Sequence, residues 1–394
     1  MSLRDGGLGR RDLLKAAGAG AFLSACSPSR PPSSPSPAGE SATAPVASAP
    51  PPAPARRLLI LGGTGFAGPP IVTAARARGH TVTLFNRGKS NPGLFPDVET
   101  ILGDRQTQLD LLKGRDWDAV IDTWAPGPTL VSRAAELLKD HVGHYLFLST
   151  ISVYKLGRDP IDETSPVLTL PPGMTVKDIK KIDEKVYGPV KALAEQAAEA
   201  ILPGRATSVR AGVIAGRGDP TDRFLYWPLR MSQGGEMIAP GSPDDRMTFI
   251  DVRDLGEWFV TLVENKTMGV FNAVGPSSPV LGAVLGEIQG AVGPNAKLTW
   301  IDQAWLDHAE VGGWGDFPLA VPSSADDAGF GKVSAARAMA KGLKFRPVAD
   351  TARDALAWFR SQPEARRAQE RPGLTPAKEA DLLRRWHTAR TTPG

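Results

Sequence analysis

The run Leu58-Leu59-Ile60-Leu61 passes without a break into Gly62-Gly63-Thr64-Gly65-Phe66-Ala67-Gly68, and this junction constrains the fold more than any other segment. Four consecutive apolar residues suit a central parallel strand covered on both faces. The spacing of Gly62, Gly65 and Gly68 permits a tight turn, close approach of a pyrophosphate and close packing of the helix that follows. Backbone N–H groups at that helix start face the phosphates. Gly62, Thr64, Gly65, Phe66 and Gly68 are therefore candidate dinucleotide-binding residues. Pro69 and Pro70 fall in the first helical turn, where a missing N–H costs little, and the helix stops at Gly79.

A second strand, Thr81 to Phe85, completes the unit, and the residues after it choose the dinucleotide. A carboxylate there would hydrogen-bond a ribose 2'-hydroxyl, whereas a cation would meet a 2'-phosphate. Asn86-Arg87 stands at this point with no acid, and Lys89 follows, so the expected cofactor is NAD(P), with NADP favoured. The alternation continues through Val98 to Gly103, Ala119 to Asp122, a helix around Ser132 to Lys139, and Tyr145 to Leu148. The fold class is α/β, a Rossmann doubly wound parallel sheet with a smaller C-terminal substrate lobe.

Leu148-Ser149-Thr150-Ile151-Ser152-Val153-Tyr154 closes the last of these strands, so its hydroxyls emerge at the carboxyl edge, where ligands of open α/β sheets bind. Tyr187-Gly188-Pro189-Val190-Lys191 follows. Residues four apart share a helix face with Cβ atoms about 6 Å apart, so Lys191 can sit beside Tyr187. A phenol with a reference pKa near 10 is a poor acid or base at neutral pH, and a neighbouring ammonium favours its phenolate. The expected catalytic residues are Thr150, Tyr187 and Lys191: Tyr187 exchanges the hydroxyl proton of a carbinol, Lys191 holds the cofactor ribose and lowers the tyrosine pKa, and Thr150 hydrogen-bonds the substrate oxygen.

Together these residues resemble the extended short-chain dehydrogenase/reductases, the NAD-dependent epimerase/dehydratase family, over roughly residues 57 to 360. Tyr187-Gly188-x-x-Lys191-x-x-x-Glu195 is similar to the family's YG-x-x-K-x-x-x-E helix. The family's pattern, counted back from Tyr154, places the hydroxyl role on Thr150 with Ser149 as the fallback, and Asp104 matches its adenine-contacting acid. The Val209–Gly216 and Thr248–Asp254 segments also fit, although Ala211 replaces a proline. Two departures are a longer linker between Thr150 and Tyr187 and Asp122-Thr123-Trp124 in place of a small-residue stretch. The resemblance also implies that the segment from Arg217 to Arg246 covers the substrate. Trp124, Arg223, Trp227 and Arg246 are the candidate substrate contacts, flat or forked groups suited to sugars or carboxylates.

The amino terminus reads differently. Gly9-Arg10-Arg11-Asp12-Leu13-Leu14-Lys15 matches a twin-arginine export signal, followed by a stretch from Ala16 to Ala25 that is short of the roughly 20 apolar residues needed to span a bilayer. Leu23-Ser24-Ala25-Cys26 resembles a lipobox, making Cys26 a lipidation site and the membrane a partner only through that anchor. As the single cysteine, Cys26 excludes an internal disulfide and a multi-thiolate zinc site, and no metal is expected. The expected organisation is a signal at 1–26, a disordered Pro/Ser/Ala linker at 27–55, a dinucleotide domain at 56–210, an interleaved substrate lobe at 211–360, and a polar helix or tail at 361–394. The leader carries half of the formal charge of +4, and no Lys/Arg cluster tracks phosphates, so nucleic acid is not an expected partner.

The function expected is an epimerase/dehydratase-like oxidoreductase acting on a hydroxyl or carbonyl of a sugar or related small molecule. Its dinucleotide is tightly bound and acquired before export to the cell envelope or periplasm. An NADPH-dependent carbonyl or enone reductase and a non-catalytic dinucleotide-binding module are the alternatives, and the family resemblance implies a homodimer.

Overall fold

In the computed structural model the described residues are 54–123, 127–179, 181–276 and 279–391. The signal at 1–26 with Cys26, the linker through residue 53, and Trp124 lie outside them. Seven parallel strands form the central sheet: β1 (Arg57–Leu61), β2 (Thr81–Asn86), β3 (Glu99–Leu102), β4 (Trp117–Asp122), β5 (Val142–Thr150), β6 (Ala206–Ala211) and β7 (Gly269–Ala273). Their order is β7-β6-β5-β4-β1-β2-β3, so the order reverses between β1 and β4. That reversal opens a crevice at the carboxyl edge.

Helices cover both faces, which explains why β1 is apolar at every position. Leu58 and Ile60 pack with Ile71 and Val72 of α1 (Gly68–Ala77), and with Leu255 and Phe259 of the later helix Val252–Glu264. Leu59 and Leu61 face the other way, towards Val131 and Ala134 of α2 (Pro128–Leu138) and Ala194 and Ala198 of α3 (Glu184–Ile201). Gly68 lets α1 approach the turn: a Cβ there would lie 2.4 Å from the Gly63 Cα.

The lobe has its own core. Helix α4 (Tyr226–Met231) buries Tyr226 and Trp227 against Ile238 and Leu285, beside a parallel strand pair, Gly235–Pro240 with Ala296–Ile301. The chain re-enters the main sheet at β7 between two lobe segments, so the lobe and sheet are interleaved. In the 361–394 segment, helix α5 (Pro376–Thr391) is anchored by buried Leu382, Leu383 and Trp386 and by Glu379, whose carboxylate meets Arg230 at 2.5 Å.

His144 on β5 is buried, and its Nε2 lies 2.7 Å from Thr207 Oγ1. Because the Thr207 hydroxyl donates to the Thr267 carbonyl, His144 must donate through Nε2. Burial pulls its pKa down to about 4. The unfolded chain therefore binds the proton first, and unfolding free energy should fall as pH drops from about 6.5 to 4, by up to about 3 kcal/mol. Urea titrations of wild type and His144→Gln at pH 7 and 4.5 should show a smaller loss in the variant.

Candidate functional site

A cleft of about 760 Å³ opens along the carboxyl edge, at the reversal in strand order. One end is lined by Gly62, Thr64, Gly65, Phe66 and Gly68, with Asn86, Arg87 and Asp104, and the other by Thr150, Tyr187 and Lys191. The three glycines do different work. A Cβ on Gly62, where φ is +116°, would meet Thr123 Oγ1 at 2.2 Å, and Gly68 is closed by the Gly63 backbone. Gly65 has nothing within 4 Å of its Cβ position, so the chain leaves room over it. At the end of β2, Asn86 Oδ1 accepts from the Gly88 N–H at 2.8 Å, while its buried Nδ2 has no partner among the described residues. Arg87 and Lys89 are exposed and without an ion pair among the described residues. An open glycine, an orphaned amide and two unpaired cations fit a dinucleotide with its 2'-phosphate.

Asp183 caps α3, accepting from the N–H groups of Lys185 and Val186 at 3.0 and 3.3 Å. Gly188 then allows the helix to dock on the turn after β5, since a Cβ there would lie 2.1 Å from the Ser152 carbonyl oxygen. Thr150 accepts from the Ser152 N–H at 3.1 Å, holding its hydroxyl at the cleft beside Tyr187. Burial raises the Tyr187 phenol, against the opposing pull of its hydrogen bond with Thr150 and the positive charge of Arg223. Lys191 is buried, donates from Nζ to the Leu148 carbonyl at 2.7 Å and lies 4.1 Å from the Phe147 ring centre. Desolvation pulls its pKa down to about 8, although Asp122 and Glu195 favour the ammonium.

No family model matches the sequence. Among curated proteins, it is 28% identical over 262 residues to the human Epimerase family protein SDR39U1, covering 58% of this chain and 80% of that one. The corresponding mouse protein is 27% identical over 253 residues, covering 60% and 80%. Among solved structures, the Bacillus cereus UDP-N-acetylglucosamine 4-epimerase aligns with a TM-score of 0.55 at 16% identity, over 77% of this chain and 99% of that one. The chain has the Rossmann-like α/β fold of that epimerase. The Bordetella bronchiseptica enzyme WbmH, solved with NAD+, shares it, with a TM-score of 0.54 at 16% identity over 78% and 98%.

Within this epimerase fold the substrate candidates separate. Arg223 lines the cleft. Trp227 does not: it is fully buried, and its indole N–H donates to the Pro318 carbonyl at 2.8 Å, so it serves the lobe core. Arg246 lies away from the cleft lining, in a two-residue strand paired with Ala320–Val321. Ser149 and Thr150 both line the cleft, but the Ser149 hydroxyl is committed as a donor to Glu195. Sequence reasoning expects Lys191 to lower the Tyr187 pKa; its Nζ donates to the Leu148 carbonyl, and among the cleft's own residues the cation whose charge bears on the phenol is Arg223.

Sequence reasoning missed Arg105. It forks onto buried Asp122 at 2.7 and 2.8 Å, and Tyr145 donates to the same carboxylate at 2.7 Å. Arg105 thereby joins the cleft wall next to Asp104. The only local signal was Asp122 itself, an acid where the resemblance calls for small residues.

Because unfolded Lys191 holds its proton to about 10.5 and folded Lys191 only to about 8, the wild-type protein should gain stability relative to Lys191→Met across that interval. The gain should approach about 3 kcal/mol. Denaturant titrations of both proteins at pH 7.5 and 10 measure it, and an unchanged difference contradicts the buried-ammonium assignment.

Proposed function

We propose that this chain is an NAD(P)-dependent oxidoreductase of the epimerase/dehydratase type, with NADP preferred, acting on a hydroxyl or carbonyl carbon of a sugar or related small molecule. The observation that carries this reading is convergence: the glycine turn and Thr150, Tyr187 and Lys191 all line one cleft. The names of the curated relatives and the NAD+ bound by a protein of the same fold support it. When bound, the nicotinamide supplies hydride exchange with the carbinol carbon. Tyr187 exchanges the hydroxyl proton through its phenolic oxygen, and Thr150 orients the substrate oxygen by a hydrogen bond. Lys191 holds the ribose from the side of Leu148. Asn86, Arg87 and Lys89 receive the adenosine end, and Asp104 the adenine.

The twin-arginine pattern supports export in the folded state to the cell envelope, with lipidation at Cys26. Free dinucleotide is scarce there, so a tightly held cofactor that is regenerated within each turnover accompanies this reading. Intact mass spectrometry of the exported protein should find an acylated Cys26 and a co-purifying dinucleotide.

A second reading, a carbonyl reductase, uses the same residues, with the Tyr187 phenol donating its proton to a carbonyl oxygen. Stoichiometric consumption of added NADPH separates the two. In either case Tyr187→Phe should lower turnover by about 10²- to 10⁴-fold while NADPH affinity, read from its fluorescence, stays within about twofold. Replacing Arg87 and Lys89 together with Ala should reduce the preference for NADPH over NADH by about tenfold or more, which corresponds to about 1.4 kcal/mol. Undiminished turnover in Tyr187→Phe would remove the acid/base assignment.

A further inference from the structure

Arg223 differs from the arginines that the fold itself neutralises. Arg105, Arg210, Arg230 and Arg366 each meet a buried carboxylate at 2.5 to 2.7 Å. Arg223 has no ion pair among the described residues, although it is half-buried and lines the cleft. Desolvating an unpaired guanidinium is unfavourable, and a cation kept in that state at a ligand cleft is matched by an anion brought from outside.

The arginine is also held in place. Its Nε donates to Thr221 Oγ1 at 3.0 Å, and the Thr221 hydroxyl donates to Asp219 Oδ1 at 2.7 Å. Asp219 is buried, and its charge and that of Arg223 act on each other without an ion-pair contact. The guanidinium carbon lies 5.8 Å from the centre of the Trp314 ring, which is itself braced edge-on by Phe330 at 5.0 Å. With Nε occupied and one flank against an indole, the two terminal nitrogens have no hydrogen-bond partner among the described residues. Two parallel N–H donors on a planar fork match a carboxylate. Trp314 and Phe330 line the same cleft and add a flat apolar wall beside the fork.

We propose that Arg223 binds a carboxylate of the substrate, so that the site selects a small hydroxy or keto acid, such as a sugar acid, over its neutral counterpart. This rests on the oxidoreductase reading above and names its substrate class. The reacting carbinol then lies between the carboxylate held by Arg223 and the hydroxyls of Tyr187 and Thr150. Arg223, Thr150 and Tyr187 line the same cleft.

The test uses the full chain, with and without saturating NADPH, and three matched pairs: D-glucuronate with D-glucose, D-gluconate with D-glucitol, and L-lactate with propane-1,2-diol. Binding is followed by calorimetry. At least one acid should bind tenfold or more tightly than its partner, Arg223→Gln should abolish that preference, and Arg223→Lys should keep only part of it, because an ammonium does not fork. The proposal is overturned if no acid is preferred in either condition, or if Arg223→Gln retains the preference with its thermal unfolding unchanged. A parallel NADPH titration keeps the two readings apart: failure to bind NADPH counts against the oxidoreductase, whereas NADPH binding without acid preference counts against Arg223 alone.

Discussion

The geometry of the site depends on the forked contact between Arg210 of β6 and Glu195 of α3, both buried. Glu195 also accepts from Ser149, and Arg210 donates onward to the Tyr154 hydroxyl at 2.8 Å, which donates to Asn272 on β7 at 2.6 Å. One chain of hydrogen bonds therefore ties α3 to β5, β6 and β7. Lys191 lies one turn from Glu195 on the same helix and Tyr187 two turns from it, so fixing the pair fixes where the phenol and ammonium reach the cleft. Removing one partner of a buried ion pair costs roughly 3 to 5 kcal/mol, because the other charge is left uncompensated. The register of the helix against the sheet is correspondingly firm.

A second buried ion pair shapes the opposite wall. Arg105 after β3, Asp122 at the end of β4 and Tyr145 within β5 form a hydrogen-bonded set, with the Arg105 guanidinium also donating to the Leu130 carbonyl. This charged set replaces small residues beneath the cleft, and Asp122 adds negative potential that favours the Lys191 ammonium. Desolvation acts against that ammonium and prevails. The resulting lysine is close to its titration point near neutral pH, and its position depends on a backbone carbonyl.

Folding and function are in tension at these positions. Lys191, Asn86 and Arg223 each carry polar capacity that the chain's own contacts leave unspent or opposed, whereas Arg210, Arg230 and Arg366 are neutralised within the fold. These three residues all line one cleft. That distribution is what a ligand site produces when its complement of charge and hydrogen bonds is completed from outside.

The primary structure alone determined the alternating strands and helices, the glycine turn, and the four-residue spacing of Tyr187 and Lys191, because each depends on neighbours close along the chain. Gly188 belongs to that legible set, although its reason, the Ser152 carbonyl, became visible only in the fold. Tertiary structure decided which hydroxyl is already committed, pairing Ser149 with Glu195 while Thr150 lines the cleft beside it. It placed Trp227 in the core, set Arg246 aside, brought Arg105 onto Asp122, and carried Trp314 to Arg223 from about ninety residues away. These outcomes rest on side chains competing for partners across distant segments. No local periodicity encodes the result of that competition, so the residues proposed for proton transfer were legible in the sequence and the partners of the cleft's charged groups were not.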